Sequence, residues 1–177
     1  MKRHKIYYKF LKTIKTYNLF QENDHVLVAF SGGPDSSALL HLLLEFAKDF
    51  PLKIELAHFN HKLRGEESDE DENFCRREAE KLGLPIYIGS DDVKEYARKR
   101  KINLEEAGSI LRYKFLKTKA KEIGANKIAL GHTMNDQAET FLMRVLRGSG
   151  LKGLSSIFPV KDEIFVRPLI EIKREEI

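Results

Sequence analysis

The sequence holds a single cysteine, Cys75. One thiol excludes an internal disulfide framework and any multi-cysteine metal site within the chain. Long apolar runs are missing as well. Nowhere do about 18 apolar residues follow one another, which excludes a membrane-spanning helix. The opening MKRHKIYYKF is charged and lacks an apolar stretch with a small-residue cleavage site, so no secretory leader is expected there. Internal repeats and low-complexity segments are absent too. These absences leave a globular, cytoplasmic protein as the expectation. At 177 residues, 42% hydrophobic and 33% charged, the chain has enough material for one domain with a solvated surface, and disorder is not expected.

Net charge is also scarce, +4 from 31 basic and 27 acidic side chains. That small figure averages an uneven distribution. Residues 2–15 carry six Lys/Arg and no acid, residues 66–80 carry eight acids against two Arg, and residues 112–127 carry six basic side chains against one acid. Basic segments of this kind either form a patch for a polyanion or are solvated helix faces, and charge alone does not separate the two.

Ile6, Tyr7, Phe10, Leu11, Ile14 and Tyr17 recur at helical spacing and predict an amphipathic helix over residues 3–17. His25–Phe30 is short, apolar and β-branched, the pattern of a buried parallel strand. A helical run follows from Ala38 to Lys48, stopped by Pro51. Lys53–Phe59 reads as the second strand and Asn60–Gly65 as a polar loop. Glu66–Leu82 is a helix ended by Gly83 and Pro85, and Ile86–Ile88 is a third strand. Asp91 or Asp92 caps a short helix to about Arg100. Leu104–Ile123 is a longer helix closed by Gly124, and Lys127–Leu130 is a fourth strand. Asn135–Leu146 is a helix stopped by Gly148 and Gly150, and residues 164–167 form a last strand. Ile172–Ile177 looks like the opening of another helix, which hints at a fragment. Strands alternating with helices predict an α/β fold: a doubly wound, mainly parallel sheet with helices on both faces. Ligands in such folds sit at the carboxyl ends of the strands.

Between the first strand and its helix stands Ser31-Gly32-Gly33-Pro34-Asp35-Ser36-Ser37. Gly32 and Gly33 allow unusual backbone angles and let a phosphate approach main-chain N–H groups. Pro34 suits the first turn of a helix, where its missing donor does no harm. Ser31, Ser36 and Ser37 offer hydroxyls, and the helix start favours an anion. Asp35 is an anion in an anion site, which makes sense if it holds Mg²⁺ beside phosphates. The loop is neither GxxxxGK[ST] nor GxGxxG. The competing possibility is a tight strand-to-helix turn with no ligand.

The hexapeptide resembles the SGGxDS motif of the PP-loop ATP pyrophosphatases. Three further stretches narrow the resemblance. They are His58-Phe-Asn-His61-Lys-Leu-Arg64-Gly65, Leu111-Arg112-Tyr113-Lys114-Phe115-Leu116, and Gly131-His132-Thr133-Met134-Asn135-Asp136-Gln137-Ala138-Glu139-Thr140 running on to Arg144, Arg147 and Gly148-Ser149-Gly150. Together, over roughly residues 24–175, they look like the N-terminal catalytic domain of the tRNA(Ile)-lysidine synthetase family. That resemblance implies a reaction. ATP adenylates the C2 oxygen of the wobble cytidine in a CAU anticodon, and the ε-amine of free lysine displaces AMP. It also implies ATP and Mg²⁺, tRNA(Ile) and lysine as partners, no membrane, and a single PP-loop catalytic domain over residues 1–177 with a C-terminal tRNA-binding region outside it. A homodimer is among the forms it allows. The family commonly has a second His and an Asp where this chain has Thr133 and Asn135, so no essential role is placed on those two.

The resemblance gives the residues roles. Ser31 to Ser37 and His132 would bind ATP. Asp35, Arg112, Asp136 and Glu139 would be catalytic, with Asp35 and Asp136 as Mg²⁺ ligands. Asp136 and Glu139 are three apart on a helix and project to one side, where they could hold the incoming lysine; the alternative is the ordinary preference of acids for a helix start. Arg112 could grip a phosphate bidentately or be a surface residue of a basic helix. His132 contacts the nucleotide or is a packed, hydrogen-bonded histidine. Asn60, His61 and Arg64 could close over the substrate, and Arg144 and Arg147 could touch tRNA. Zinc at His58 and His61 fits poorly without a third ligand cluster. Cys75, on a helix beside Phe74 and Ala79, reads as a small buried residue. It argues against the rival chemistry of tRNA thiolation, which generally needs cysteine pairs or an iron–sulfur cluster. A non-catalytic ATP-binding module is the rival of another class, in which Asp35, Asp136 and Glu139 would be idle.

Overall fold

A computed structural model describes residues 5–63, 65–146 and 157–177. The chain runs α1 (Lys5–Tyr17), β1 (His25–Ala29), α2 (Pro34–Phe46), β2 (Lys53–Asn60), α3 (Glu66–Leu82), β3 (Ile86–Ser90), α4 (Val93–Arg100) and α5 (Leu104–Ile123). It continues with β4 (Lys127–Ala129), α6 (Met134–Leu146), β5 (Val160–Lys161), β6 (Phe165–Val166) and a 3₁₀ turn at Arg174–Glu176. Among the described residues no helix is long and apolar enough to cross a membrane.

The strands form one sheet in the order β3-β2-β1-β4-β6-β5. All neighbours are parallel except β5, which runs antiparallel to β6 at the edge. The expected doubly wound sheet is present. Its strand order turns around between β1 and β4, since β2 and β3 build outward on one side and β6 on the other. Such a switch point leaves a crevice at the strand carboxyl ends.

Alternation along β1 sorts the core into two layers. Val26 and Val28 face a layer filled by Tyr7, Phe10 and Ile14 of α1, Leu39, Leu40 and Leu43 of α2, and Cys75 and Ala79 of α3. Leu27 faces the other, with Ala57, Ile128, Phe165 and Leu116 and Ala120 of α5. A side chain buried on either face explains why β1 reads as an unbroken apolar run. A smaller cluster of Phe59, Val93, Ala97, Ala107 and Leu111 joins α4 to α5.

Most element ends carry the signals that predicted them. Asp92 caps α4 by accepting from the Glu95 N–H at 2.8 Å. Gly83 and Gly124 end α3 and α5 in the left-handed region. The structure departs from expectation at three places. α2 begins at Pro34 rather than Ala38, so the second half of the glycine loop is itself the first helical turn. β5 was not expected. The last residues form a 3₁₀ turn at Arg174–Glu176, not an α-helical opening. Residues 3–4 of the first helix and the glycine stop at 148–150 lie outside the described residues.

Candidate active site

The loop after β1 is stitched by its own serines. Ser36, nearly buried, donates its hydroxyl to the Gly33 carbonyl at 3.0 Å and accepts the Ser31 N–H at 3.2 Å. The Ser31 and Ser36 hydroxyls also pair at 3.0 Å. Gly32 sits at φ +82°, and a Cβ there would lie 3.0 Å from Phe74 Cδ1 and 3.2 Å from Cys75 Sγ. The turn thus needs glycine both for its backbone and for the close floor that α3 provides. Gly33 caps α2 with no side-chain acceptor, which leaves the helix start open to an external anion.

β4 ends beside this loop. A Cβ on Gly131 would lie 3.3 Å from the Asp35 carbonyl group, so glycine lets the two chain segments touch. Between them opens a cavity of about 380 Å³ lined by Ser31, Asp35, Ser36, Asn60, His61, Arg112, His132 and Asp136, among others. Eight expected site residues, from five elements or their flanking turns, therefore converge. Gly32, Gly33, Pro34 and Ser37 belong to the same turn but do not line the cavity. Arg144 lines an adjoining cavity, and Arg64 and Arg147 lie outside the described residues.

Among the described residues, two polar atoms in the cavity have no partner. Asp35 Oδ1 and Arg112 Nε are buried and unsatisfied. Leaving either group unmet costs free energy, and each would be met by a ligand of opposite charge. Asp35 Oδ2 accepts from Arg174 Nε at 3.1 Å. The same guanidinium reaches Asp136 Oδ1 at 3.1 Å and Glu139 Oε1 at 3.5 Å. One arginine therefore bridges three carboxylates, of which sequence spacing had paired only Asp136 and Glu139, and the group keeps a net negative charge. Glu139, with its side chain 64% exposed, meets the group through Arg174. Among the described residues no cluster of three or more His, Cys, Asp or Glu could hold a metal.

Asp136 also serves its helix. Its Oδ2 accepts from the Thr133 N–H at 2.6 Å and the Thr133 hydroxyl at 2.9 Å, the reciprocal half of a capping box. Thr133 is thus a buried cap, and Asn135 Oδ1 holds the Arg174 N–H at 2.9 Å. Asn60 turns inward. Its amide donates to the Ser68 carbonyl, Asp69 and Glu72, at 3.1–3.2 Å, and so brackets the start of α3. His61 lies edge-on to Phe59, its centroid 4.9 Å away, and burial beside Arg112 lowers its pKa. His58 Nδ1 sits 3.0 Å from the Phe30 carbonyl and 3.2 Å from Cys75 Sγ. Cys75 is fully buried, and desolvation with Asp71 and Glu72 nearby pushes its thiol up to about 12.

Residues 2–177 match a family model described as a PP-loop domain. The chain belongs to the PP-loop family. Two curated relatives of this PP-loop chain are called tRNA(Ile)-lysidine synthase. That of Clostridium acetobutylicum is 44% identical over 167 residues, 94% of this chain and 36% of the relative. That of Clostridioides difficile is 42% identical over 172 residues, 97% of this chain and 37% of the relative. The PP-loop chain thus spans little more than a third of the length of these relatives. Among solved structures, a U34-tRNA thiolase from Methanococcus maripaludis, with its [4Fe-4S] cluster, superposes with a TM-score of 0.80 at 23% identity. The match covers 97% of this chain and 60% of that one, and shows the fold alone.

Sequence reasoning missed two residues of the PP-loop site. Arg174 lies 139 positions from Asp35, and only the fold joins them. Arg167 is 3% exposed and donates from Nε to His132 Nδ1 at 3.1 Å. Its other nitrogens reach the Phe158 carbonyl at 2.7 Å and the Tyr113 hydroxyl at 3.3 Å. One signal for Arg167 was available: it directly follows β6, at the carboxyl end of a parallel strand.

Proposed function

We propose that the chain is the catalytic domain of a tRNA(Ile)-lysidine synthetase. It would transfer AMP from ATP to the C2 oxygen of a wobble cytidine in a CAU anticodon, with release of pyrophosphate. The ε-amine of free lysine then attacks C2, the C2–O bond breaks, AMP leaves and one proton is lost. The observation that carries this is the pair of unmet atoms in one cavity. Among the described residues Asp35 Oδ1, on a carboxylate whose other oxygen meets Arg174, and Arg112 Nε have no hydrogen-bond partner. Together they complement a metal–polyphosphate pair, which is the form in which ATP binds.

The donor set fits Mg²⁺, which takes one or two carboxylates and completes its shell with phosphate oxygens and water. Asp35 and Asp136 would hold it, and when bound it would offset phosphate charge. The chain's own groups do the rest. The open start of α2 and the glycine turn receive phosphate oxygens. Arg112 holds a phosphate through charge-assisted hydrogen bonds as charge builds at the adenylate. Asp136 and Glu139 position the lysine ammonium in the place where Arg174 now bridges them. Only roughly one lysine in 2,500 is neutral at pH 7, so the amine must be desolvated or give up its proton during attack. The basic groove next door, with Lys114, Lys117, Arg144 and Lys161 around Tyr113 and Phe158, suits a nucleic-acid strand. A thiolation chemistry finds no reactive thiol in Cys75, which is buried and pushed up to about 12. Residues 1–177 form the single catalytic domain of this proposal, acting in the cytoplasm.

The test incubates the chain with [α-³²P]ATP, lysine and a CAU-anticodon tRNA(Ile). AMP release and repeated turnover should need both lysine and tRNA, with tRNA alone giving at most one equivalent of pyrophosphate. Formation of ADP, or turnover without lysine, overturns the proposal.

A further inference from the structure

We infer that Arg167 is a positioning residue that fixes His132 as a neutral hydrogen-bond donor, with the ring proton on Nε2 available to an oxygen ligand in the phosphate-loop cavity. The inference deepens the proposed ATP chemistry and rests on it for the identity of that ligand.

The geometry begins with Arg167 Nε, 3.1 Å from His132 Nδ1. A guanidinium has donors and no acceptor. His132 Nδ1 must therefore present its lone pair, and the single proton of the neutral ring sits on Nε2. Arg167 is held in place by its other two bonds, to the Phe158 carbonyl and the Tyr113 hydroxyl, and by its burial. Protonating the ring would set an N–H against a guanidinium N–H. The charged groups that act on His132 are Arg167 after β6, Arg112 on α5 and Asp136 on α6. Its two cavities are lined also by Asp35, Asp71, His58 and His61 on one side and Lys114, Lys117, Arg144, Lys161 and Asp162 on the other. Two cations and burial oppose one carboxylate, and the ring's pKa falls to about 4.

A ring held this way cannot act as the base that takes the lysine proton. Nδ1 is bonded to Arg167 and Nε2 already carries hydrogen. It can donate to an oxygen on which negative charge grows, without first losing or gaining a proton. His132 lines both the phosphate-loop cavity and the basic groove, so that donor stands where the two sites meet.

The test has two arms. In the first, ¹⁵N-histidine NMR of the whole chain reads the tautomer without substrate, with His132→Gln assigning the signal. His132 should show protonated Nε2 and bare Nδ1, unchanged from about pH 5.5 to 8.5. Arg167→Met should release it, so that the ring titrates closer to the ordinary 6.5. A proton on Nδ1, or a midpoint between 6 and 7.5 in the parent, overturns the inference, whether or not Arg167→Met folds. In the second arm, pyrophosphate release is compared among variants. Gln can place an N–H near the Nε2 position, so His132→Gln should lose less than about tenfold while His132→Ala loses roughly 100-fold or more. Parent and His132→Gln should share one pH–rate shape. Equal losses in the two folded variants, or a limb near neutrality present only in the parent, overturn the donor role. The first arm needs no turnover, so failure of the lysidine assay would leave the tautomer assignment to stand or fall alone.

Discussion

Asp35 carries the heaviest demand of any single residue here. One oxygen is bonded to Arg174, and the other is buried with no partner among the described residues. Asp35→Asn keeps the shape and removes the charge. We expect a turnover loss of about 100-fold or more, with an unchanged melting curve; near-normal turnover would refute the metal assignment. His132 supplies a pH prediction. Its folded pKa of about 4 lies below the ordinary 6.5, so the unfolded chain takes the proton first as pH falls. Stability is therefore lost between about pH 6.5 and 4 and is unaffected by this group above that window. The shift amounts to roughly 3 kcal/mol at the acid limit. Urea unfolding from about pH 4.5 to 7 should show a shallower acid loss for His132→Gln than for the parent. Equal slopes would contradict this assignment.

At the scale of elements, the phosphate turn depends on the helix beneath it. Gly32→Ala would place a left-handed alanine against Phe74 and Cys75. We expect a stability loss of about 1–3 kcal/mol and weaker nucleotide binding, checked by denaturation and by ATP titration. Cys75→Ser, whose hydroxyl can still donate to the Phe30 carbonyl that the thiol now meets, should retain turnover within about twofold, with a stability loss near 1 kcal/mol. A folded but inactive variant would bring thiol chemistry back. These elements were legible because their signals are local. Asp92, Gly83 and Gly124 each mark a boundary within their own helix. β5 was not legible, since two residues at a sheet edge carry no period. The convergence of Ser31, Asp35, Arg112, His132 and Asp136 could be expected from motif and strand end. The bridge through Arg174 could not, because it joins residues 139 positions apart with no shared pattern, and Arg167 offered only its place at the end of β6.

For the whole molecule, modest net charge conceals a sided one. The acid-rich α3 carries paired charges such as Glu72–Arg76 and Glu78–Lys81. The groove beside His132 gathers Lys114, Lys117, Arg144, Lys161 and Arg167. On the proposed function, binding of tRNA should therefore weaken steeply with salt. Replacing Lys114 or Lys161 by alanine should each reduce the slope of log K against log salt by about 0.7–0.9, measured by filter binding across a salt series. Unchanged slopes would move the nucleic acid elsewhere, for instance to Lys94, Arg98, Lys99 and Arg100 of α4.

The strand order has a consequence for how the molecule comes into being. A ribosome delivers β1, β2 and β3 before β4 and β6, and these three strands are neighbours in the sheet. The glycine turn and its α3 floor can thus assemble while the chain is still being made. The opposite wall cannot, for His132 is fixed only when Arg167, 35 residues later, has been synthesised and docked. A nascent chain would therefore possess a phosphate cradle but no finished catalytic wall. Chemical competence should wait until β6 has paired with β4 and brought Arg167 to His132.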